Sequence, residues 1–358
     1  MKMKTLALAA CLCVSASAMA QSAATSMTLY GIVDLSARKQ TGLTAAYTRD
    51  ANDTTVVASG VGPTSRWGIR GSEDLGGGTR ALFNLESGIN ADSGIQANAL
   101  TYFDRASVVG LSGSWGQLMA GRQNTLLADS AGVTDPIGLR FAGMNPNIQI
   151  TSLTGHQLGI EFGNTGSSGS SNRVNNGLKY SLPVGPVVAR AMYSFGEVTA
   201  DTSRLQSAGL GLDYLSNGFS VTSAYTQFRD LNDRELRASN IGASWLVLPT
   251  LRLMANVGYN KAETSATTQT RNRLIAAGVN YAATPTIDVL AGYYNAERAR
   301  TGMTDDGFNR LLAFVEYKFS RRSKVYLELD STHWKNNYLV ANAKSTSNGL
   351  SLGITHAF

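Results

Sequence analysis

From Thr28 onward, apolar and polar residues alternate with a period of two, the pattern of strands that turn one face to an apolar medium. In the first segment Leu29, Gly31, Val33, Leu35 and Ala37 share one side, while Thr28, Tyr30, Asp34 and Arg38 share the other. The same grammar sets Ala81, Phe83 and Leu85 against Arg80, Asn84 and Glu86. It sets Leu251, Leu253, Ala255, Val257 and Tyr259 against Arg252, Asn256 and Asn260. It returns near the C-terminus, where Leu311, Ala313, Val315, Tyr317 and Phe319 oppose Arg310, Glu316 and Lys318. No stretch holds a helical 3.6 period over three turns.

The connections alternate in length. Short Gly, Ser, Asn or Pro joints fall at Leu75–Gly78, Ser112–Ser114, Pro183–Pro186, Ser216–Gly218, Leu248–Pro249, Ala282–Pro285 and Ser320–Ser323. Longer polar stretches lie between them, at Lys39–Thr64, Ile89–Leu100, Asn124–Asn172, Val198–Leu205, Arg229–Glu235, Lys261–Arg271, Glu297–Phe308 and Lys335–Ser347. Seven short and eight long connections join sixteen strands. Asn147–Leu153 and Gln157–Phe162 also alternate around Thr154-Gly155-His156, and a hairpin there would make eighteen.

Alternation alone leaves two architectures open. A soluble sandwich points its apolar face inward, whereas a membrane barrel points it outward and keeps a polar lumen. Aromatics near segment ends (Tyr30, Trp67, Tyr180, Tyr214, Trp245, Tyr259, Tyr281, Tyr317) and the short-turn, long-loop asymmetry favour the barrel. Closing the sheet also pairs every backbone donor and acceptor, as lipid requires. The expected fold is an all-β, 16-stranded antiparallel transmembrane β-barrel. On that parity Leu253 faces lipid, in the middle of its strand, and Asn256 faces the lumen.

Composition narrows the picture further. The 358 residues are 43% hydrophobic and 16% charged, with 37 Gly and 7 Pro, too apolar for a disordered chain. Nothing beyond residue 20 approaches the ~18 apolar residues of a spanning helix. The start does not read as part of the fold. Lys2 and Lys4, an apolar run from Thr5 to Val14 and Ala18-Met19-Ala20 form a secretory signal peptide, residues 1–20, cut before Gln21. Leu8-Ala9-Ala10-Cys11 offers a competing lipoprotein box, although its apolar run before the cut is short. Cys11 and Cys13 leave with the signal, so the exported part, residues 21–358, has no disulfide framework.

Several runs resemble the general porins of Gram-negative outer membranes, in particular the trimeric beta-proteobacterial and neisserial type. Met27-Thr28-Leu29-Tyr30-Gly31-Ile32-Val33-Asp34 is similar to that family's first strand. Ser65-Arg66-Trp67-Gly68-Ile69-Arg70-Gly71-Ser72-Glu73-Asp74-Leu75-Gly76-Gly77-Gly78 looks like its second strand and first periplasmic turn. Phe103-Asp104-Arg105, Gly121-Arg122-Gln123 and Arg173-Val174-Asn175-Asn176 match further pieces. The terminal Phe358, ending an alternating strand, resembles the signal read by the outer-membrane assembly machinery. The resemblance implies a homotrimer in outer-membrane lipid, passing inorganic ions and small hydrophilic solutes by passive diffusion. It also implies that the third long loop, residues 124–172, folds inward and narrows the pore.

The candidate pore residues follow from parity and resemblance together. Arg38, Arg66, Arg70 and Arg80 fall on the polar face, and Arg105 and Arg122 join them by resemblance, making one basic sector. In the loop, Asp129, Asp135 and Glu161 stand against Arg140, and carboxylates facing a basic wall would bias ion traffic. Weak anion selectivity is the expectation. Catalytic and nucleotide-binding motifs are absent, and His156, His333 and His356 are scattered, so no enzyme, no cofactor and no metal is expected. The basic residues alternate with carboxylates instead of forming a patch, which argues against nucleic acid despite a net charge of +6. The alternative function is a surface adhesin or receptor acting through its long loops.

Overall fold

A computed structural model describes residues 25–149, 172–199, 201–336, 338 and 343–358. The expected signal peptide, Glu161, His156 and the body of the proposed extra hairpin lie outside the described residues; Asn147 and Ile148 form a turn, and Gln149 is not in a strand. Among the described residues one continuous antiparallel sheet holds eighteen strands. β1 (Ser26–Leu43) is the seam. Its first half pairs with β3 (Arg66–Gly76), its second half with β2 (Arg49–Ser59), and its opposite edge with β18 (Thr346–Ala357). The sheet therefore closes on itself. β2 and the two-residue β5 (Ile95–Gln96) are additions on long connections, so sixteen strands form the ring.

The ring runs on through β4 (Thr79–Asn90), β6 (Ala106–Gly113), β7 (Gly116–Asn124), β8 (Arg173–Val184) and β9 (Val187–Ser194). It continues with β10 (Ser207–Ser216), β11 (Phe219–Arg229), β12 (Glu235–Leu248) and β13 (Leu251–Glu263). β14 (Gln269–Ala282), β15 (Ile287–Arg300), β16 (Asp306–Lys318) and β17 (Ser323–Lys335) complete it before β18. All seven short joints read from the sequence connect two paired neighbouring strands. The first long connection is the exception to the loop reading, since Arg49–Ser59 pairs back on β1 as an added strand.

Closure of β1 on β18 includes one close approach. Phe358 donates its backbone N–H to Gly31 O at 3.0 Å and accepts from Gly31 N at 3.2 Å. The Phe358 ring lies where any Cβ on Gly31 would sit, so this position takes only glycine without rearrangement.

The alternation faces as expected. Leu29, Leu210, Ile241, Val257, Leu352 and Ile354 are exposed on the outside, whereas Asp34, Ser36, Arg38 and Gln40 are buried inside. Leu253 does face outward but not at mid-height: it pairs with Trp245 and Val279, near the short-turn aromatics, and Ala255 is the middle of the outward apolar run Leu251, Leu253, Ala255, Val257 and Tyr259. The lumen departs from a uniformly polar wall. Leu274, Leu290, Tyr294, Leu312, Phe314 and Tyr326 point inward on β14–β17 and are buried.

Candidate functional site

The chain after β7 turns into the lumen and covers that apolar wall. Thr125 caps α1 (Leu126–Thr134), its hydroxyl accepting from Ala128 N at 3.3 Å, and so satisfies one open donor of the first turn. Leu126 and Leu127 then pack with Val174, Met192, Ala224, Phe228 and Leu236. Polar lumen groups pin the helix backbone: Asn240 donates to Leu127 O at 3.0 Å and Asn256 to Thr134 O at 3.1 Å. Beyond the helix, Ile137, Phe141 and Met144 bury themselves against the inward residues of β14–β17. Apolar residues on both faces of these strands have a plain cause: lipid takes one face and the loop takes the other.

Asp135 organises the bend. Its carboxylate accepts from Ile137 N (3.1 Å), Leu139 N (2.8 Å), Asn145 Nδ2 (3.1 Å), Asn147 Nδ2 (2.8 Å) and the Tyr294 hydroxyl (3.1 Å). Burial pushes its carboxyl above the usual carboxylate range, while these hydrogen bonds pull the other way. Burial likewise pushes the Tyr47 hydroxyl, packed edge-on to Phe141, up to about 12. Asp135 thus serves the loop and does not approach the basic sector, contrary to the expectation from sequence. Asp129 also turns elsewhere, to Lys179 at 2.7 Å and Arg190 at 3.5 Å.

The six arginines separate into distinct settings. Arg66 and Arg105 share one carboxylate, Glu86, at 3.5 and 2.7 Å. Tyr30 places its hydroxyl 2.9 Å from the same Glu86 and 2.9 Å from Asn84. Arg70 lies beside this group, its guanidinium 5.0 Å over the Tyr30 ring. Arg80 is further toward the short turns, donating to Ser72 Oγ at 2.8 Å. Arg122 is buried, holding Asp104 O at 2.7 Å and Asn175 Oδ1 at 2.6 Å. Arg38 is also buried, ion-paired with Glu328 at 2.9 Å and Asp330 at 2.7 Å beneath Phe141. Arg38 and Arg122 therefore brace the wall instead of facing open lumen.

One arginine escaped the sequence reading. Arg173, the first residue of β8, donates to Arg105 O at 2.9 Å and joins Arg66 and Arg105 around a cavity of 180 Å³. Ala128, Leu139, Ala142 and Ile148 of the inward loop close the opposite side. The signal was its place at the end of the long loop, where a returning strand must point its first residues at the loop's entry. A second charged group was legible only in part: Arg140 reaches Glu316 at 3.1 Å, and Lys324 holds the same carboxylate at 2.8 Å. Among the described residues no group of three or more His, Cys, Asp or Glu could hold a metal ion.

A family model described as Gram-negative porin matches residues 6–337. An outer membrane porin protein of Bordetella pertussis is 32% identical over 65% of this chain and 61% of its own length. Outer membrane porin protein 32 of Delftia acidovorans is 35% identical over 54% of this chain and 50% of its own length. The chain thus spans between half and two thirds of these two relatives. The major outer membrane protein P.IA of a Neisseria meningitidis serogroup A strain is 25% identical over 81% of this chain and 80% of its own length. Among solved structures, the anion-selective porin from Comamonas acidovorans has a similar fold, with a TM-score of 0.77 at 23% identity, covering 94% of this chain and 100% of that one. The trimer form of OmpT from Vibrio cholerae gives a TM-score of 0.68 at 16% identity, covering 94% and 100%.

Proposed function

The chain belongs to the Gram-negative porin family, and from that premise we propose that it forms a water-filled channel for passive diffusion of ions and small hydrophilic solutes, with a modest preference for anions. Its place is the outer membrane, where a closed barrel satisfies its backbone without help from solvent. The family and the fold point to a channel rather than an enzyme. We take the segment 124–172, whose described residues 125–149 lie inward, as the constriction.

The observation that carries the anion preference is the cavity between that segment and the wall. Arg66, Arg105 and Arg173 line it, Glu86 is the one carboxylate paired with them among the described residues, and the loop side is apolar. An anion passing there meets an excess of fixed positive charge in a narrow space, where screening by salt is incomplete. The likeness to an anion-selective porin supports the same reading. The trimer form of a structural neighbour supports a homotrimer in outer-membrane lipid, and the exposed terminal Phe358 supports recognition by the assembly machinery.

Purified protein in a planar lipid bilayer tests this directly. Stepwise currents with a reversal potential of anionic sign under a KCl gradient are expected. Absence of steps would favour an adhesin or receptor, and cation selectivity would reject the basic constriction.

A further inference from the structure

The wall beneath α1 carries a polar patch that the ion path does not use. Asn240 on β12 and Asn256, Gly258 and Asn260 on β13 all point inward. Gly258 pairs in register with Asn240, and Asn256 and Asn260 stand two residues to either side of it. Asn240 and Asn256 commit their amide N–H groups to Leu127 O and Thr134 O of the helix. Asn260 donates to Asn272 Oδ1 at 3.3 Å, and Asn272 donates to Glu297 O at 3.2 Å. Three amide oxygens are left over. Oδ1 of Asn240, Asn256 and Asn260 is in each case shielded from solvent, with no hydrogen-bond donor among the described residues. Asn256 is 4% exposed and Asn260 2%.

Buried acceptors are nearly always paired, so three neighbouring ones call for a common donor. Turning the amides over supplies none, because Asn240 or Asn256 would then set an oxygen against a helix carbonyl. Space for a donor lies at Gly258, where a Cβ would meet only Leu274 Cβ and Ser239 O, each at 3.7 Å. The inward glycines nearby differ. A Cβ on Gly242 would collide with Thr134, and one on Gly278 with Pro136, so the loop itself fills those two positions.

We propose that the patch at Gly258 binds a small cluster of water, roughly two molecules, which donates to the oxygens of Asn240, Asn256 and Asn260. Water suits this acceptor set, since each molecule donates twice and bridges oxygens that have no donor of their own. A monovalent cation suits it poorly. The flanking inward positions Ala238, Gly242, Asn272, Leu274 and Ala276 carry no charge, and stripping an ion of its hydration inside a neutral wall is costly. The bound water fixes the two amides that carry α1, so Asn240 and Asn256 are positioning residues for the inward loop. The water site rests on the seating of α1 and not on ion preference; only its effect on current draws on the constriction reading.

Crystals of the native oligomer grown in rubidium chloride test the site directly. Density within hydrogen-bond distance of the three Oδ1 atoms, without anomalous signal at the rubidium edge, is expected. A rubidium peak would assign the patch to a cation, and density belonging to a side chain, or none at all, would leave it without water; each overturns the proposal. Gly258→Ala gives a second reading by its sign. In a dry wall the methyl would fill space and replace a strand glycine, so the unfolding midpoint would rise. Over bound water it displaces the donor and strands the amides, so the midpoint should fall by a few degrees and proteolysis within 137–149 should quicken several-fold. A midpoint that rises or stays unchanged would overturn the proposal. Faster proteolysis with unaltered single-channel current would support the water site and count against the constriction reading instead.

Discussion

Arg173 donates from Nε to the main-chain oxygen of Arg105, 2.9 Å away, and so fixes two guanidinium groups at the same narrow cavity. Arg105 immediately precedes β6 and Arg173 opens β8, so the contact reaches across β7 between them. Like charges meet there because a main-chain acceptor holds one of them in place and Glu86 offsets the other.

The first prediction follows from that excess. One unit charge about 5 Å from a passing ion contributes ~0.8 kcal/mol at the dielectric constant of water. Arg173→Gln should therefore lower anion permeability and raise cation permeability by up to about fourfold each, read as a fall in the anion-to-cation ratio from reversal potentials. Glu86→Gln should raise it. Opposite signs for the two variants are the signature, and a shared sign would mean the ions pass elsewhere.

Depth along the lipid-facing wall gives the second. Arg at the bilayer midplane of a barrel costs about 2–4 kcal/mol and much less near the interfaces. Ala255→Arg should reach that range, whereas Leu253→Arg, level with Trp245, should cost about half or less. Refolding titrations into lipid vesicles measure both. Equal penalties would misplace the membrane on β13.

Asp135 and Tyr294 supply the third. Asp135→Ala leaves several buried donors without an acceptor, each worth about 1–3 kcal/mol. The loop should loosen, with noisier single-channel currents and faster proteolysis within 137–149. Asp135→Asn keeps one acceptor oxygen and should be milder. Its pH dependence has a definite sign. The folded carboxyl is raised by burial, so its contribution is present at acid pH and lost as pH rises through the folded value. The deficit of the Asn variant should thus shrink from acid to neutral pH.

These residues also show what the sequence could reveal. Strand parity was legible because lipid and water impose opposite demands on alternate residues, and it places Leu29 outside and Asp34 inside. The inward apolar wall was harder to read. Leu312 and Phe314 sit on the face of β16 that also holds Arg310 and Glu316, a break in alternation that marks where the loop must pack. Parity turned Arg38 inward, but its burial beneath Phe141 depends on the path of the long loop, far along the chain; Arg122 was placed by resemblance, and its hold on Asp104 O is a local contact between β7 and the segment before β6. Asp129 and Asp135 could be seen only as charges in a loop; their partners on β8, β9 and β15 are fixed by closure of the barrel.

The last prediction concerns the buried charges around Arg38. Gly349 on β18 pairs with Gln40 on one side and Asp330 on the other. A Cβ there would run into the Arg38 guanidinium and the Asp330 carboxylate. Gly349→Ala must therefore displace one partner of a fully buried pair, and an uncompensated buried charge costs about 3–5 kcal/mol. Thermal or denaturant unfolding should show a loss of that size. Arg38 also stacks on Phe141, 4.8 Å from its ring centre, so current noise from the loop should rise with it. A neutral background separates charge from bulk. With Arg38→Met, Glu328→Gln and Asp330→Asn in place, a flexible chain can yield to the new methyl and no charge is stranded. Gly349→Ala should then cost less than half as much. An undiminished cost would make the clash one of backbone packing alone, and Arg38 would not be the group that Gly349 accommodates.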